Sequence, residues 1–292
     1  MRKIGILEIK GGLGNQLFIL NFIQYLENNN FKVYSLTNFY TEQQANSLNT
    51  EQRHLYLDSN LMNLNIPKVK YSKFLSMIIQ INSRKKSFLQ KLIFRFLKLI
   101  ICFADDNNLL EQIKGSKRIF FFDGYFQNYS LLQSADQLTK RLTVDPKFNL
   151  TNTNDMHDHL AVVHVRRKDY LKIGEELDLS YYENSLSFLK NSVQNLKFNV
   201  FTDDVEWCKK NSLFNEANFI KNASLEDTIK DFVEMSNYKY FVISNSTYSY
   251  MSAYLSRHNN KIVITPQPWF KKLDFTNYDL IINPNWVKIK NE

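Results

Sequence analysis

The sequence is poor in the residues that break or staple a chain. Glycine occurs seven times and proline five times in 292 residues. This excludes collagen-like, Gly/Ser-linker and proline-rich architectures, and it makes any glycine cluster informative. Cysteine occurs twice, at Cys102 and Cys208, too few and too far apart for a disulfide framework or a four-ligand zinc knuckle. That usage fits a reducing compartment, and the cytosol is the expected location. No run approaches the roughly 18 uncharged apolar residues of a spanning helix. At the start, Met1-Arg2-Lys3 precedes only Ile4 to Leu7 before Glu8 and Lys10, too short for a secretory h-region. The expectation is a protein that is soluble or bound at a membrane surface.

What is present is a globular balance. Hydrophobic residues make up 44% and charged residues 23%, outside the range of disordered chains, and the length suits one large domain or two modest ones. The net charge of +8 is unevenly placed, because Ser59 to Ala104 holds nine Lys/Arg and no Asp/Glu and the remainder of the chain sums to −1. Within that segment, Arg84 to Ile101 sets Lys91, Arg95 and Lys98 on one helical stripe and Leu89, Leu92, Phe96 and Leu99 away from it. Such a helix suits an anionic membrane surface, and it equally suits a core helix with a solvated basic stripe. Nucleic acid is not an expected partner, since no motif that reads it accompanies the basic residues.

Along the chain, Ile4 to Ile9 reads as a strand, Gly11, Gly12 and Gly14 as a loop, and Asn15 to Asn29 as a helix. Arg118 to Phe126 is a further strand. The polar stretch Asp145 to His159 lacks periodicity and marks a linker, which divides the chain into residues 1–155 and 156–292. In the second half, Leu160 to Val165, Phe198 to Phe201, Tyr240 to Ile243 and Lys261 to Ile264 read as buried parallel strands. Helical stretches such as Ser180 to Val193 and Ser246 to Ser256 alternate with them. This alternation predicts a doubly wound α/β sheet, in which ligands bind beyond the carboxyl ends of the strands.

Polar groups gather at those ends. His164, Arg166, Arg167 and Asp169 follow the first run, Asp203 and Asp204 the second, and Ser244, Asn245, Ser246 and Thr247 the third. The Ser244 to Thr247 stretch opens a helix, so its amides and hydroxyls suit a phosphate, although an ordinary N-cap has the same look. A guanidinium fork matches a phosphate bidentately, and alternation places Arg166 on the face of His164. Asp203 and Asp204 suit the N–H groups of guanine, a helix N-cap, or a paired-carboxylate metal site. No metal is expected there or at Asp155 to His159. The glycine loop, Gly11 to Gln16, matches neither the dinucleotide spacing nor a P-loop. It reads as a tight turn, or as a place where backbone, Asn15 and Gln16 approach a ligand.

In order, GGLGNQLF from Gly11, GYFQ from Gly124, HVRRKDY from His164, FTDD from Phe201 and SNSTYSYMSAYL from Ser244 resemble the α-1,2-fucosyltransferases of bacterial surface-polysaccharide pathways. The resemblance implies two Rossmann-like domains facing across a cleft, the GT-B-type glycosyltransferase fold, with the acceptor side in residues 1–155 and the nucleotide sugar in 156–292. It implies transfer of L-fucose from GDP-β-L-fucose, with inversion and without metal or cofactor, to the 2-hydroxyl of a galactose. The acceptor would be an oligosaccharide or a lipid-linked oligosaccharide, built at the cytoplasmic face if residues 59–104 hold the protein on the membrane. By resemblance Arg166 binds the β-phosphate, His164 lies in the same pocket, and Asp203 faces guanine. Ser246 and Thr247 contact phosphate, and Asn15 lies near the fucose. Gly14, Gln16, Asp204, Ser244 and Asn245 share these blocks and complete the donor-binding set. Tyr248, Tyr250 and Met251 stand where the pattern more often shows Phe, Trp and Trp.

Transfer builds negative charge on the departing phosphate, so Arg166 and the helix start carry the electrostatic task. Asp169, Glu175 and Glu176 are the candidate bases for the acceptor hydroxyl, and Asp169 has the alternative role of a structural partner to an arginine. Two rivals stand beside this reading: a transferase of the same fold using another GDP-sugar or linkage, and a non-catalytic basic module that binds membranes.

Overall fold

A computed structural model describes residues 2–36, 55–57, 62–64, 99–103, 109–116, 118–144, 159–220, 225–272 and 278–291. The expected linker from 145 to 158 and nearly all of the basic segment 59–104 lie outside them. The chain forms two compact units. The first comprises Met1–Leu57, Leu64–Phe126 and Leu131–Gln133, and the second Asp58–Asn63, Gln127–Ser130 and Ser134–Glu292.

The first unit is built on strands β1 (Lys3–Glu8), β2 (Phe31–Leu36), β3 (Leu99–Phe103) and β4 (Ile119–Asp123), with helices α1 (Leu13–Asn28) and α2 (Leu109–Lys114). The sheet order is β2-β1-β4-β3 and every pair is parallel. Helix α1 buries residues around most of its circumference, among them Leu17, Phe18, Leu20, Phe22 and Leu26, as expected for a helix in a core rather than on a surface. Phe22 stacks on Phe126 at 3.9 Å and meets Phe122 edge-on at 5.2 Å. The buried Asn21 amide donates to Leu131 O and its carbonyl accepts from Gln133 N, which fixes the segment leaving β4.

Strand β3 corrects the expectation of a helix running to Ile101. Leu99 to Ile101 belong to a strand in register with Ile119 to Phe121. A short apolar run with two isoleucines satisfies a helical stripe and a buried strand equally well, and sheet pairing decides. The remainder of that expected helix, residues 84–98, lies outside the described residues.

In the second unit, α3 (Ala135–Arg141) is capped by Ser134, whose hydroxyl accepts from Gln137 N. The strands are β5 (Leu160–Val165), β6 (Lys197–Thr202), β7 (Asn218–Ile220), β8 (Tyr240–Val242), β9 (Ile262–Gln267) and β10 (Val287–Lys290). The helices among them are α4 (Lys168–Ile173), α5 (Leu179–Ser192), α6 (Val205–Lys209), α7 (Leu225–Ser236) and α8 (Thr247–Leu255). The strands lie parallel in the order β7-β6-β5-β8-β9-β10, which is the Rossmann order, with its switch point between β5 and β8. Strands β5 and β8 are almost wholly buried because both sheet faces are covered. The edge strand β10 instead alternates half-buried and exposed residues.

Tyr181, Tyr182, Leu186 and Leu189 of α5 pack on Val163, Val165 and Val200. The Tyr181 hydroxyl donates to Ile243 O at 2.6 Å and lies 3.3 Å from Ile264 O, tying the ends of β8 and β9 together. Lys261 Nζ caps the carboxyl end of α8 by donating to Ala253, Tyr254 and Ser256 carbonyls, where the helix dipole favours a cation. Both cysteines, Cys102 and Cys208, are free and buried.

Candidate functional site

The carboxyl ends of β5, β6 and β8 converge in the second unit. His164, the penultimate residue of β5, is buried, and its Nδ1 lies 2.7 Å from Ser244 Oγ beyond β8. Burial, with the charge of Arg166 second, lowers its pKa to about 3, so the imidazole is neutral at physiological pH. Its ring stands 5.7 Å from that of Tyr248.

Arg166 follows directly. Its Nε donates to Asp169 Oδ1 at 2.8 Å and its Nη2 pairs with the same oxygen at 2.8 Å. Nη1 lies 3.1 Å from Asp203 Oδ2, close enough for an ion pair but outside hydrogen-bond geometry. Burial acts to lower the Arg166 pKa, and the Asp169 hydrogen bond with the charges of Asp203 and Asp169 outweighs it, so the net direction is upward. The guanidinium is permanently charged and held by two carboxylates, about a quarter exposed at 27%.

Arg167 points elsewhere. Its backbone N–H donates to Asp203 Oδ1 at 2.9 Å, its Nε reaches Asp204 Oδ2 at 3.3 Å, and its guanidinium lies 4.0 Å from the Trp207 ring centroid. The arginine pair is thus divided: Arg166 lies between Asp169 and Asp203, and Arg167 is fastened to α6. Asp204 caps α6 by accepting from Trp207 N at 3.1 Å. Burial raises the Asp203 pKa, against the opposing pull of Arg166 and backbone donors.

The third component is the start of α8. Ser244, Asn245 and Ser246 are buried, and Ser246 holds the N-cap position without a side-chain capping bond. First-turn amides are the groups an anion would meet at a helix start. Asn245 donates to Glu175 O at 2.7 Å, its own O accepts from the Tyr170 hydroxyl at 2.9 Å, and its buried Oδ1 has no hydrogen-bond partner among the described residues.

The loop from Gly174 to Asp178 lies against this corner. Gly174 ends α4 in the left-handed region at φ 68°, and a Cβ there would fall 2.4 Å from Lys272 Nζ, so the position favours glycine on two counts. Glu175 is fully buried, and its carboxylate accepts from Lys271 N at 2.6 Å and Lys272 N at 2.8 Å. It therefore anchors the segment after β9. Its neighbour Glu176 is half-buried, with Oε2 buried and without a hydrogen-bond partner among the described residues.

The glycine loop belongs to the first unit. Gly11 adopts φ 80°, Gly12 precedes α1 without a side-chain cap, and Gly14 is buried in the first turn. Gln16 is fully buried, donating to Gly11 O at 3.0 Å and accepting from Leu57 N at 3.2 Å, so its carboxamide closes the loop from inside. Asn15 is partly exposed.

The second unit accordingly assembles His164, Arg166, Asp169, Asp203, Asp204, Glu175, Glu176 and Ser244 to Thr247 at the ends of three neighbouring strands. Sequence reasoning left without a role Trp207, under Arg167, and Tyr170, on Asn245 O, although an aromatic beside an arginine or at a strand end is a readable signal. Among the described residues no group of three or more His, Cys, Asp or Glu is arranged to hold a metal ion, and no helix is long and apolar enough to cross a membrane.

Parallel sheets in two Rossmann-like units, one with a strand-end corner of arginine and helix start, define a nucleotide-dependent glycosyltransferase of the GT-B class. The profile of glycosyl transferase family 11 matches residues 6–290, and the chain belongs to that family. It is 29% identical to an alpha-1,2-colitosyltransferase of Escherichia coli, with 99% of each chain covered. It is also 28% identical to the O-antigen biosynthesis glycosyltransferase WbnK of Escherichia coli, over 63% of this chain and 64% of that one. Among solved structures, an Arabidopsis thaliana FUT1 mutant in complex with GDP shares the fold at a TM-score of 0.50 and 10% identity, covering 88% of this chain and 69% of the other.

Proposed function

We propose that this glycosyltransferase moves a 6-deoxy-L-sugar, L-fucose, from its GDP-β-linked donor to the 2-hydroxyl of a galactose in a surface glycan, with inversion and without a metal. The observation that carries the reading is Arg166 beside the start of α8 at the switch point of a Rossmann-ordered sheet. In that geometry the guanidinium and the first-turn amides draw electron density from the departing β-phosphate, the work a metal ion does elsewhere. Neutral His164, held by Ser244, supplies a hydrogen-bonding group that adds no charge.

The acceptor hydroxyl must lose its proton as the new bond forms. Of the three candidate bases, Asp169 is engaged by Arg166 and Glu175 by two backbone amides. Glu176 retains a carboxylate oxygen without a hydrogen bond, so Glu176 is our choice. The acceptor in this reading is a lipid-linked oligosaccharide at the cytoplasmic face of the membrane, with residues 59–104 attracted to anionic lipid.

A second donor is favoured by one observation, the full-length similarity to a colitosyltransferase. Colitose is L-fucose without its 3-hydroxyl, and the phosphate chemistry is unchanged. The test offers purified protein GDP-fucose and GDP-colitose with and without EDTA, against a panel of β-galactosides, and reads the linkage by NMR. Transfer from GDP-fucose to O2 in EDTA supports the proposal. Transfer from GDP-colitose alone moves the donor to the second reading, and transfer from neither sinks both.

A further inference from the structure

A second polar cluster lies in the first unit, at the carboxyl ends of its two central strands. Asp123 closes β4, and Lys10 follows β1 by two residues; Lys10 Nζ meets Asp123 Oδ1 at 2.5 Å. The same ammonium lies 5.6 Å from the Tyr125 ring centroid. Between them sits Gly11 at φ 80°, where a Cβ would fall 2.7 Å from Asn15 Nδ2 and 2.9 Å from Tyr125 Cε1. A carboxamide and an aromatic ring therefore close in on a residue that has no side chain. Leu7 is in register with Phe122, so Glu8 and Asp123 end their strands side by side. The ion pair is reachable from solvent, with side-chain exposures of 18% for Lys10 and 33% for Asp123.

The order β2-β1-β4-β3 makes the β1/β4 junction the place where the direction of winding changes, and ligands of open parallel sheets occupy that position. The charges then select the ligand. Asp123 and Glu8 oppose Lys10, which disfavours a phosphate, and the ammonium disfavours a cation. A flat apolar ligand would strip water from the ion pair with nothing in return. A pyranose suits every group: its hydroxyls donate to the carboxylate and accept from the ammonium, and its C–H face lies against an aromatic ring.

We propose that Lys10, Asp123 and Tyr125, set around Gly11 beside Asn15, form a pyranose-binding subsite. In a sugar transferase such a ring has two sources, the glycosyl group of the donor and the terminal sugar of the acceptor, and this assignment rests on the function proposed above. The test uses full-length Lys10→Met and Asp123→Asn with melting temperature and GDP affinity as controls, and measures KM separately for GDP-sugar and β-galactoside. Loss of a charge-assisted hydrogen bond raises one of the two KM values about tenfold or more while GDP affinity is unchanged, and the KM that rises identifies the source. Both KM values within about twofold of wild type in folded variants would overturn the subsite.

Should the wild type turn over neither GDP-sugar, the functional reading fails and the subsite is still decided. Saturation-transfer NMR with methyl β-galactoside and L-fucose reads binding without turnover. Signal in the wild type that disappears in Asp123→Asn supports the subsite; equal signal in both, or none in either, refutes it.

Discussion

Ser244 Oγ and His164 Nδ1 lie 2.7 Å apart, joining the ends of the adjacent strands β8 and β5 at the switch point. The imidazole is buried and its pKa falls to about 3, through burial first and the charge of Arg166 second. In the unfolded chain it titrates near 6.5. The unfolded state therefore binds the extra proton between these values, and stability rises with pH across that window. His164 contributes its full share above about pH 6.5 and loses it as pH falls toward 3. His164→Gln is expected to flatten the pH dependence of denaturant midpoints between pH 6.5 and 4, with the wild-type slope as reference. Ser244→Ala, which leaves a buried ring nitrogen without its partner, should cost about 1–3 kcal/mol.

Arg166 sits where leaving-group charge would collect. Arg166→Ala is expected to lower kcat by about 10² to 10³, and Arg166→Lys, which keeps the charge but not the planar fork, should recover only part of that. Circular dichroism and melting confirm that each variant folds. A folded Arg166→Ala with near-normal turnover would remove this residue from the chemistry.

Glu175 and Glu176 are adjacent in sequence and opposite in circumstance. Glu175→Gln replaces an acceptor with a donor facing two backbone N–H groups, so the expected loss is stability, about 1–3 kcal/mol, with kcat within a few-fold. Glu176→Gln should lower kcat by about 10² with an unchanged melting temperature. The reverse pattern would make Glu175 the base.

Asp231 of α7 tests the opposite sign of pH dependence. Burial first, then the charges of Glu234 and Asp227 against Lys230, raises its pKa to about 7. The folded state thus holds a proton that the unfolded chain has released, and stability contributed by this group falls as pH rises from about 4 to 7. Asp231→Asn should raise the melting temperature above pH 7, by about 2–4 °C for each kcal/mol relieved, and have little effect at pH 4.

The buried strands of the second unit were legible because covering both sheet faces leaves continuous apolar runs: Leu160 to Val165 has the same bounds in sequence and structure. Strand β2 was passed over although Phe31, Val33 and Ser35 alternate inward, a period-2 signal hidden behind the asparagine run that ends α1. Strand β10 spans four residues at a sheet edge and carries almost no pattern.

In the site, Asp169 three residues after Arg166 was readable as an ion pair, and Asp204 as a cap. What local pattern could not reveal is the hold of Glu175 on Lys271 and Lys272, nearly a hundred residues away. The Lys10 and Asp123 pair is equally remote in sequence and is brought together only by strand pairing.

The burial of Cys102 and Cys208 has a practical side. A thiol-directed fluorophore finds no accessible native target on the folded protein, so a single cysteine introduced at Lys172, on the solvent side of α4, would take the dye alone. Its emission would then follow nucleotide arriving at the neighbouring strand ends in real time, in an otherwise unaltered chain.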